Sequence, residues 1–324
     1  MKKFFALALV LAVLAAGIFE WGYAGFNAPG PAARHGSETV VVIKNGTGLS
    51  GVAETLADAG VLMRPDLFRI GVRVSGQTSA LKAGEYAIPS RASMRDIMNI
   101  LIAGHSIQHK LTVAEGLTSK MAYDLVVTDD VLVGEAGAVP PEGTLLPETY
   151  LFTRGTTRAG LIAEMEKAQQ ELLDRLWAKR AANLPIKSKA EALVLASIVE
   201  KETGIPAERP HIASVFVNRL RLGMKLQSDP TIIYGITEGY PLGRRIKQSE
   251  IARATPYNTY VIAGLPPRPI CNPGRDAIAA VLNPLETKDL FFVADGTGGH
   301  VFAATIAEQT KNVAKWRKIH LGAH

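Results

Sequence analysis

The feature that most restricts this chain lies at its start. Lys2 and Lys3 precede an uncharged run from Phe4 to Phe19, which ends at Glu20. A run of that composition either crosses a bilayer or is a secretory signal. It is shorter than the roughly 20 apolar residues of a full span, but Trp21, Tyr23 and the uncharged stretch to Ala33 extend it into the interface, where Trp and Tyr concentrate. The paired lysines hold the amino terminus on the cytoplasmic side. No clean small-x-small cleavage site ends the run, and no cysteine follows it for lipidation. This favours a retained single-pass anchor over residues 1–23 against a cleaved signal. In both cases the rest of the chain is expected on the outer, periplasmic face of the cytoplasmic membrane.

The remainder has the balance of a folded protein. Of 324 residues, 47% are hydrophobic and 20% charged, enough for two domains or one with appendages. A net charge of +6 suits anionic lipid or an acidic wall polymer. There is no block of five or more basic residues, so nucleic acid is not an expected partner. The single cysteine, Cys271, excludes an internal disulfide and a cysteine-based zinc site. In a Pro-rich loop without an activating neighbour, it reads as a small, partly buried residue.

The pattern beyond the anchor is α+β. Residues 24–38 are rich in Gly, Pro, Ala and Ser and read as a linker. Thr39 to Lys44 is β-branched and reads as a strand. Leu49, Val52, Ala53, Leu56 and Ala59 mark an amphipathic helix, and a second helix follows Pro65. Lys82 to Ile88 is a short strand, and Met94 to Ala103 a further helix. Residues 39–104 therefore form a small α/β module. Within it, Gly46-Thr47-Gly48-Leu49-Ser50-Gly51 fits the dinucleotide pattern G-x-G-x-x-G. The order strand, helix, helix, strand does not build the parallel sheet that such a site requires, so the glycines read as a tight turn. Residues 105–324 form a larger α+β domain. Its helices are expected over Gly116–Val126, Leu161–Arg180, Ser188–Thr203 and Pro210–Leu222. A loop-rich region to Asn283, a hairpin of Leu290–Val293 with His300–Ala303, and a last helix from Ile306 follow.

The helix from Ser188 carries the chemistry. Ser188 and Glu191 form a capping box that fixes its start. Eight uncharged residues follow, Ala192 to Val199, as in a helix buried on every side. Glu200 ends the run beside Ala196 and Ser197, one turn back. Burial there disfavours the charged carboxylate and raises its pKa, the property that a glycosidase acid needs. The residue types leave a second reading open, a helix-terminal glutamate solvated or paired with Lys201 or Arg209. Glu202 lies about 200° around the helix from Glu200 and cannot share its site. Downstream, a density of polar and aromatic residues suits the edges and faces of pyranose rings: Asn218, Gln227, Asp229, Thr231, Tyr257, Asn258 and Tyr260. Each on its own also fits a turn cap or core position.

At these residues the chain resembles a family. Ala196-Ser197-Ile198-Val199-Glu200-Lys201-Glu202-Thr203 is similar to the signature of the endolytic murein transglycosylases (MltG, YceG-like). The likeness continues through Ala213–Leu220, Leu226–Gly235, Tyr257–Tyr260, Gly264–Pro267 and Phe292–Gly296. Val113–Gly116 and Pro141–Tyr150 match as well. The resemblance implies a retained anchor, a LysM-like module over 39–104 and a catalytic domain over 105–324, with Glu200 as the catalytic acid.

It also implies the reaction. A lytic transglycosylase cuts the MurNAc–GlcNAc β-1,4 bond of nascent peptidoglycan strands and leaves 1,6-anhydroMurNAc ends, as a terminator of glycan elongation. It needs no metal or organic cofactor, and its expected partners are glycan strands, the cytoplasmic membrane and peptidoglycan synthases. One carboxyl suffices, whereas the usual hydrolase uses two; Asp229 is the second acid available, with turn capping as its alternative role. Two other classes stay open on the residues: a non-catalytic, membrane-anchored wall-binding protein, and a pyridoxal-phosphate lyase using Lys201.

Overall fold

The computed structural model describes residues 2–321; Met1 and residues 322–324, the outer ends of the expected anchor and catalytic domain, lie outside the described residues. The chain divides into two units. One holds the residues up to His109 together with Leu151–Thr156; the other holds Lys110–Tyr150 and the chain from Thr157 onward.

The first unit begins with helix α1 (Lys2–Asn27), followed by β1 (Glu38–Ile43), α2 (Leu49–Asp58), α3 (Pro65–Val74), β2 (Gly84–Pro89) and α4 (Met94–Ala103). β1 and β2 pair antiparallel, with Thr39 opposite Ile88 and Val41 opposite Tyr86. This rules out the parallel sheet of a dinucleotide fold. Side-chain alternation sets the register: Val41 and Ile43 are buried, Val40 and Val42 exposed. α2 buries Leu49, Val52, Ala53 and Leu56, one helical stripe. Ser93 and Asp96 close a capping box on α4, and Gly104 ends it at φ 71°, a conformation glycine adopts without strain. The buried Glu85 carboxylate meets His109 at 2.5 Å and Arg154 at 3.1 Å.

α1 runs four residues past the expected end of the anchor, and the cause is packing. Phe26 is buried beside Phe68, ring centroids 6.4 Å apart. It lies on Gly71 of α3, where a Cβ would come within 2.3 Å of the ring. The expected linker is therefore helical at its start, and its remainder is tied down. Gly30 N–H donates to Arg91 O (3.2 Å), Arg91 N–H to Pro31 O (2.9 Å) and Ser90 N–H to Ser37 O (2.8 Å). A side chain on Gly30 would reach 2.3 Å from Ala92 O, so this glycine serves close backbone approach, not freedom.

β3 (His109–Thr112) and β4 (Thr149–Phe152) pair as a two-stranded ribbon. The second unit continues with α5 (Ser119–Thr128), α6 (Arg158–Ala178), α7 (Lys189–Glu202), a 3-10 turn at Pro206–Glu208, α8 (Arg209–Arg221), α9 (Asp229–Thr237), α10 (Gln248–Ile251) and α11 (Arg275–Leu282). The hairpin β5 (Phe291–Ala294) and β6 (His300–Ala303) follows, then α12 (Ile306–Leu321). α9 and α11 fall in the stretch expected as loops. Pro230 sits in the first turn of α9, where its missing N–H has no partner to lose. α11 is held by burial of Ala277, Ile278, Ala280, Val281 and Leu282.

α7 is the centre of this unit. Ser188 Oγ accepts from Glu191 N–H at 3.1 Å as the capping pattern requires, while the Glu191 carboxylate takes Lys187 N–H at 2.6 Å. Ala192, Leu195, Ala196, Ile198 and Val199 are wholly buried, in one cluster with Ile212, Ala213 and Phe216 of α8 and Ala277, Ile278 and Val281 of α11. Each fully buried Leu, Ile, Val or Phe side chain here contributes about 1.5–3 kcal/mol.

Glycine inside a helix normally costs about 1 kcal/mol relative to alanine. Gly71→Ala is nevertheless expected to lower the thermal midpoint of the full chain, because the new methyl meets the Phe26 ring. In a Phe26→Ala background the same change is expected to be neutral or stabilising, and a double-mutant cycle by thermal denaturation checks the sign reversal.

Candidate active site

The carboxyl groups of Glu200 and Glu202 sit in different surroundings. The Glu200 side chain is buried, and both its oxygens are engaged. Oε1 accepts from Arg209 Nη2 at 2.9 Å and Oε2 from Gly274 N–H at 2.9 Å. Arg209 also meets Glu115 at 2.8 Å and Asp276 at 3.5 Å. A Cβ on Gly274 would collide with Glu115, so glycine here lets the backbone reach Glu200. Burial pushes the Glu200 carboxyl up; the Gly274 N–H and Arg209 oppose this, and the charges of Glu115 and Asp276 add to it. Its two hydrogen-bond partners are N–H donors without acceptor capacity, so a proton on either oxygen would face a donor. This is the paired-glutamate reading that the residue types left open.

Glu202, the last residue of α7, is the group that the sequence reading passed over. The Ser228 hydroxyl donates to its Oε1 at 2.5 Å. Its other oxygen has no partner among the described residues, and no cation there lies within ion-pair distance. Burial pushes its carboxyl up, the Ser228 hydrogen bond opposes this, and the charge of Asp229 adds to it; the result is about 7. It is a carboxylic acid poised to hold a proton near neutrality.

The residues expected to line a sugar site separate around it. Gln227, in the left-handed region at φ 53°, accepts from Arg219 Nη1 at 3.3 Å. Arg219 also donates to Leu226 O at 2.7 Å and Leu290 O at 2.6 Å, which ties this turn to the start of β5. Asp229 accepts from the Tyr260 hydroxyl at 2.7 Å, and burial together with that carboxylate pushes the Tyr260 phenol up. Gln227, Asp229 and Tyr260 thus gather on the Glu202 side of α7.

The other four expected contacts have their polar atoms or rings engaged within the fold. Thr231 is wholly buried and donates to Ser228 O at 2.6 Å. Asn258 Nδ2 donates to Glu250 O, Ile251 O and Arg253 O at 3.1, 2.9 and 2.7 Å. Asn218 Nδ2 donates to Thr287 O and Asp289 O at 3.0 and 3.1 Å. Tyr257 packs on Tyr234, ring centroids 4.9 Å apart. As placed, these four support the loops around the site.

The β5–β6 hairpin adds His300, which the sequence gave no reason to single out. Its N–H and Nδ1 both lie 2.8 Å from the Glu208 carboxylate, which also accepts from Thr203 Oγ1 at 3.2 Å. Cys271 is buried, with its thiol 3.4 Å from Ser197 O. Among the described residues no group of three His, Cys, Asp or Glu side chains is arranged to hold a metal ion.

A mixed helix and strand fold, an apolar amino-terminal helix and a buried acid at the end of a core helix define the class of protein to which the comparisons can be set. The chain belongs to the YceG-like family, whose model matches residues 41–315. It is 31% identical over 324 aligned positions to an endolytic murein transglycosylase of Streptococcus pneumoniae, covering 85% of this chain and 58% of that protein. An endolytic murein transglycosylase of Bacillus subtilis is 29% identical, with 85% and 83% covered. The chain thus spans little more than half the length of the pneumococcal relative. A crystal structure of a yceG-like protein of Listeria monocytogenes superposes with a TM-score of 0.54 at 28% identity, over 85% of this chain and 98% of that one.

The two acids are expected to separate by stability. Glu200→Gln removes the buried one of the three carboxylates that face Arg209 and should cost about 1.5–3 kcal/mol. The Glu202 carboxyl is pushed up to about 7 from its ordinary 4.5. Stability from its neutral form is therefore present below 4.5 and lost as pH rises through 7. Glu202→Gln should accordingly be at least as stable as the parent at pH 8. Thermal melts of both variants at pH 5 and pH 8 check this.

Proposed function

We propose that the chain is a membrane-anchored endolytic lytic transglycosylase that cuts the MurNAc–GlcNAc β-1,4 bond of nascent peptidoglycan strands. The observation that carries this reading is the Glu202 carboxyl, raised to about 7 with one oxygen unpartnered. Glu202 therefore replaces Glu200 as the proposed catalytic acid, and Glu200 becomes the buried anchor of Arg209. Family membership and the names of the relatives support the reaction class.

Protonated Glu202 donates to the glycosidic oxygen, and GlcNAc leaves with a free 4-hydroxyl. Positive charge develops at the muramyl C1 as the bond breaks. The resulting Glu202 carboxylate takes the proton from the same sugar's 6-hydroxyl, whose oxygen closes onto C1. The product is a 1,6-anhydroMurNAc end, and Glu202 is protonated again. The nucleophile is tethered to the reacting ring, so one carboxyl acts first as acid and then as base. A hydrolase needs a second carboxylate; Asp229, the nearest, already accepts the Tyr260 hydroxyl. Gln227, Asp229 and Tyr260 are the proposed sugar contacts. The module over residues 39–104, in which β1–α2–α3–β2 is followed by α4, is read as the LysM-like, glycan-holding part of the chain. α1, apolar enough over Lys3–Asn27 to cross a bilayer, anchors the chain with its catalytic unit on the outer face. There the enzyme ends glycan elongation beside the peptidoglycan synthases.

Glu202→Gln is expected to abolish release of anhydro-ended glycans from peptidoglycan, while Glu200→Gln, assayed below its melting range, retains turnover. Mass spectrometry of the product termini is the measurement. Reducing ends in place of anhydro ends would rule out the transglycosylase, and full activity in Glu202→Gln would move the acid elsewhere. Activity should also fall as pH rises through about 7, where Glu202 loses its proton.

A further inference from the structure

The first unit presents a surface that the proposed reaction does not use. Apolar positions and Gly71 occupy about 200° of the circumference of α3, more than the core of the unit covers. Phe68 and Val72 enter that core, and Leu67 and Gly71 face α1. Ile70 and Val74 face neither: they are 56% and 74% exposed, and Met63, just before the helix, is 76% exposed. A helix on a water-facing module normally keeps such side chains on its covered stripe.

Ile70 and Val74 border an apolar groove of about 620 Å³, lined on its other side by Ile18, Phe19 and Trp21 of α1. The α1 wall belongs to the helix that is long and apolar enough to cross a membrane. Arg95 lines the groove, and Arg64 and Arg73 stand near it, with Glu20 and Asp66 as the neighbouring acids. The Arg64 guanidinium lies 4.2 Å from the Trp21 ring centroid and that of Arg95 5.4 Å from the Tyr23 ring, while Arg73 is exposed beside Val74. Trp and Tyr at the end of a span mark the depth of the lipid headgroups. Long cationic side chains there extend to phosphates with their stems along apolar surface.

We infer that the outer face of α3 is a membrane-interface element. Ile70, Val74 and Met63 enter the outer leaflet beside the α1 span, and Arg64, Arg73 and Arg95 meet anionic headgroups. The occupant is the bilayer because the groove is continuous with the exposed apolar surface of α1. Wherever Phe19 meets lipid, the facing side of α3 lies at the same level. The proposal concerns the first unit alone and does not depend on the transglycosylase reading.

The test uses the full chain, with Cys271→Ala, reconstituted into phosphatidylethanolamine–phosphatidylglycerol vesicles. Single cysteines at Ile70, Val74, Phe19 and the exposed Val40 carry an environment-sensitive fluorophore, and nitroxide lipids labelled high on the acyl chain serve as quencher. Labels at 70 and 74 should be quenched several-fold more than the label at 40 and approach that at 19. Quenching no greater than at position 40 overturns the proposal. So does a blue-shifted but unquenched label, which would mean that protein covers this face. An unquenched label at 19 overturns it as well, because the α3 face then has no adjoining span.

Discussion

Much of the second unit follows from the middle of α7, Val194 to Glu200, having no face toward water. A helix enclosed on every side by α8, α11 and their neighbours can place a carboxyl group only at its end, and only where the surroundings answer it. The protein answers its two terminal acids differently. Glu200 receives a backbone N–H and a guanidinium N–H; Glu202 receives one hydroxyl and a neighbouring negative charge. The first arrangement matches a carboxylate and the second a carboxylic acid. Burial pushes both carboxyls up, and their different partners add to or oppose it.

The partners of Glu202 depend on segments far away in sequence. Ser228 caps α9, and Arg219 holds the turn before it by binding Leu226 O and Leu290 O. Thr231, Thr259 and Asn258 tie α9 to the loop that carries Tyr260. The buried polar residues around the site are mostly scaffolding for it. This explains why several of the polar and aromatic residues singled out in the sequence have their polar groups engaged within the fold.

The sequence showed the elements with strong periodicity: α2, α4, α7 and the module order β1–α2–α3–β2. It hid α11, whose eight residues are too few to establish a period, and α9, whose Pro230 reads as a break until it is seen in a first helical turn. The choice between Glu200 and Glu202 was out of reach for a geometric reason. Two residues apart on a helix, the acids had to face opposite sides, but periodicity cannot say on which side Arg209 or Ser228 will stand. The family resemblance named Glu200; the structure adds that the two acids have different partners, and the assignment to Glu202 is our proposal. The Gly- and Pro-rich stretch after the anchor misled in the opposite sense, because the same composition serves free linkers and backbones packed too closely for side chains.

The first unit is not continuous in sequence. It includes Leu151–Thr156, and from that segment Arg154 reaches the buried Glu85 that His109 also holds. In the proposed topology the amino-terminal unit therefore has an internal charge only half answered until some forty further residues of the next unit have followed it across the membrane. Its maturation is timed by the chain that follows it.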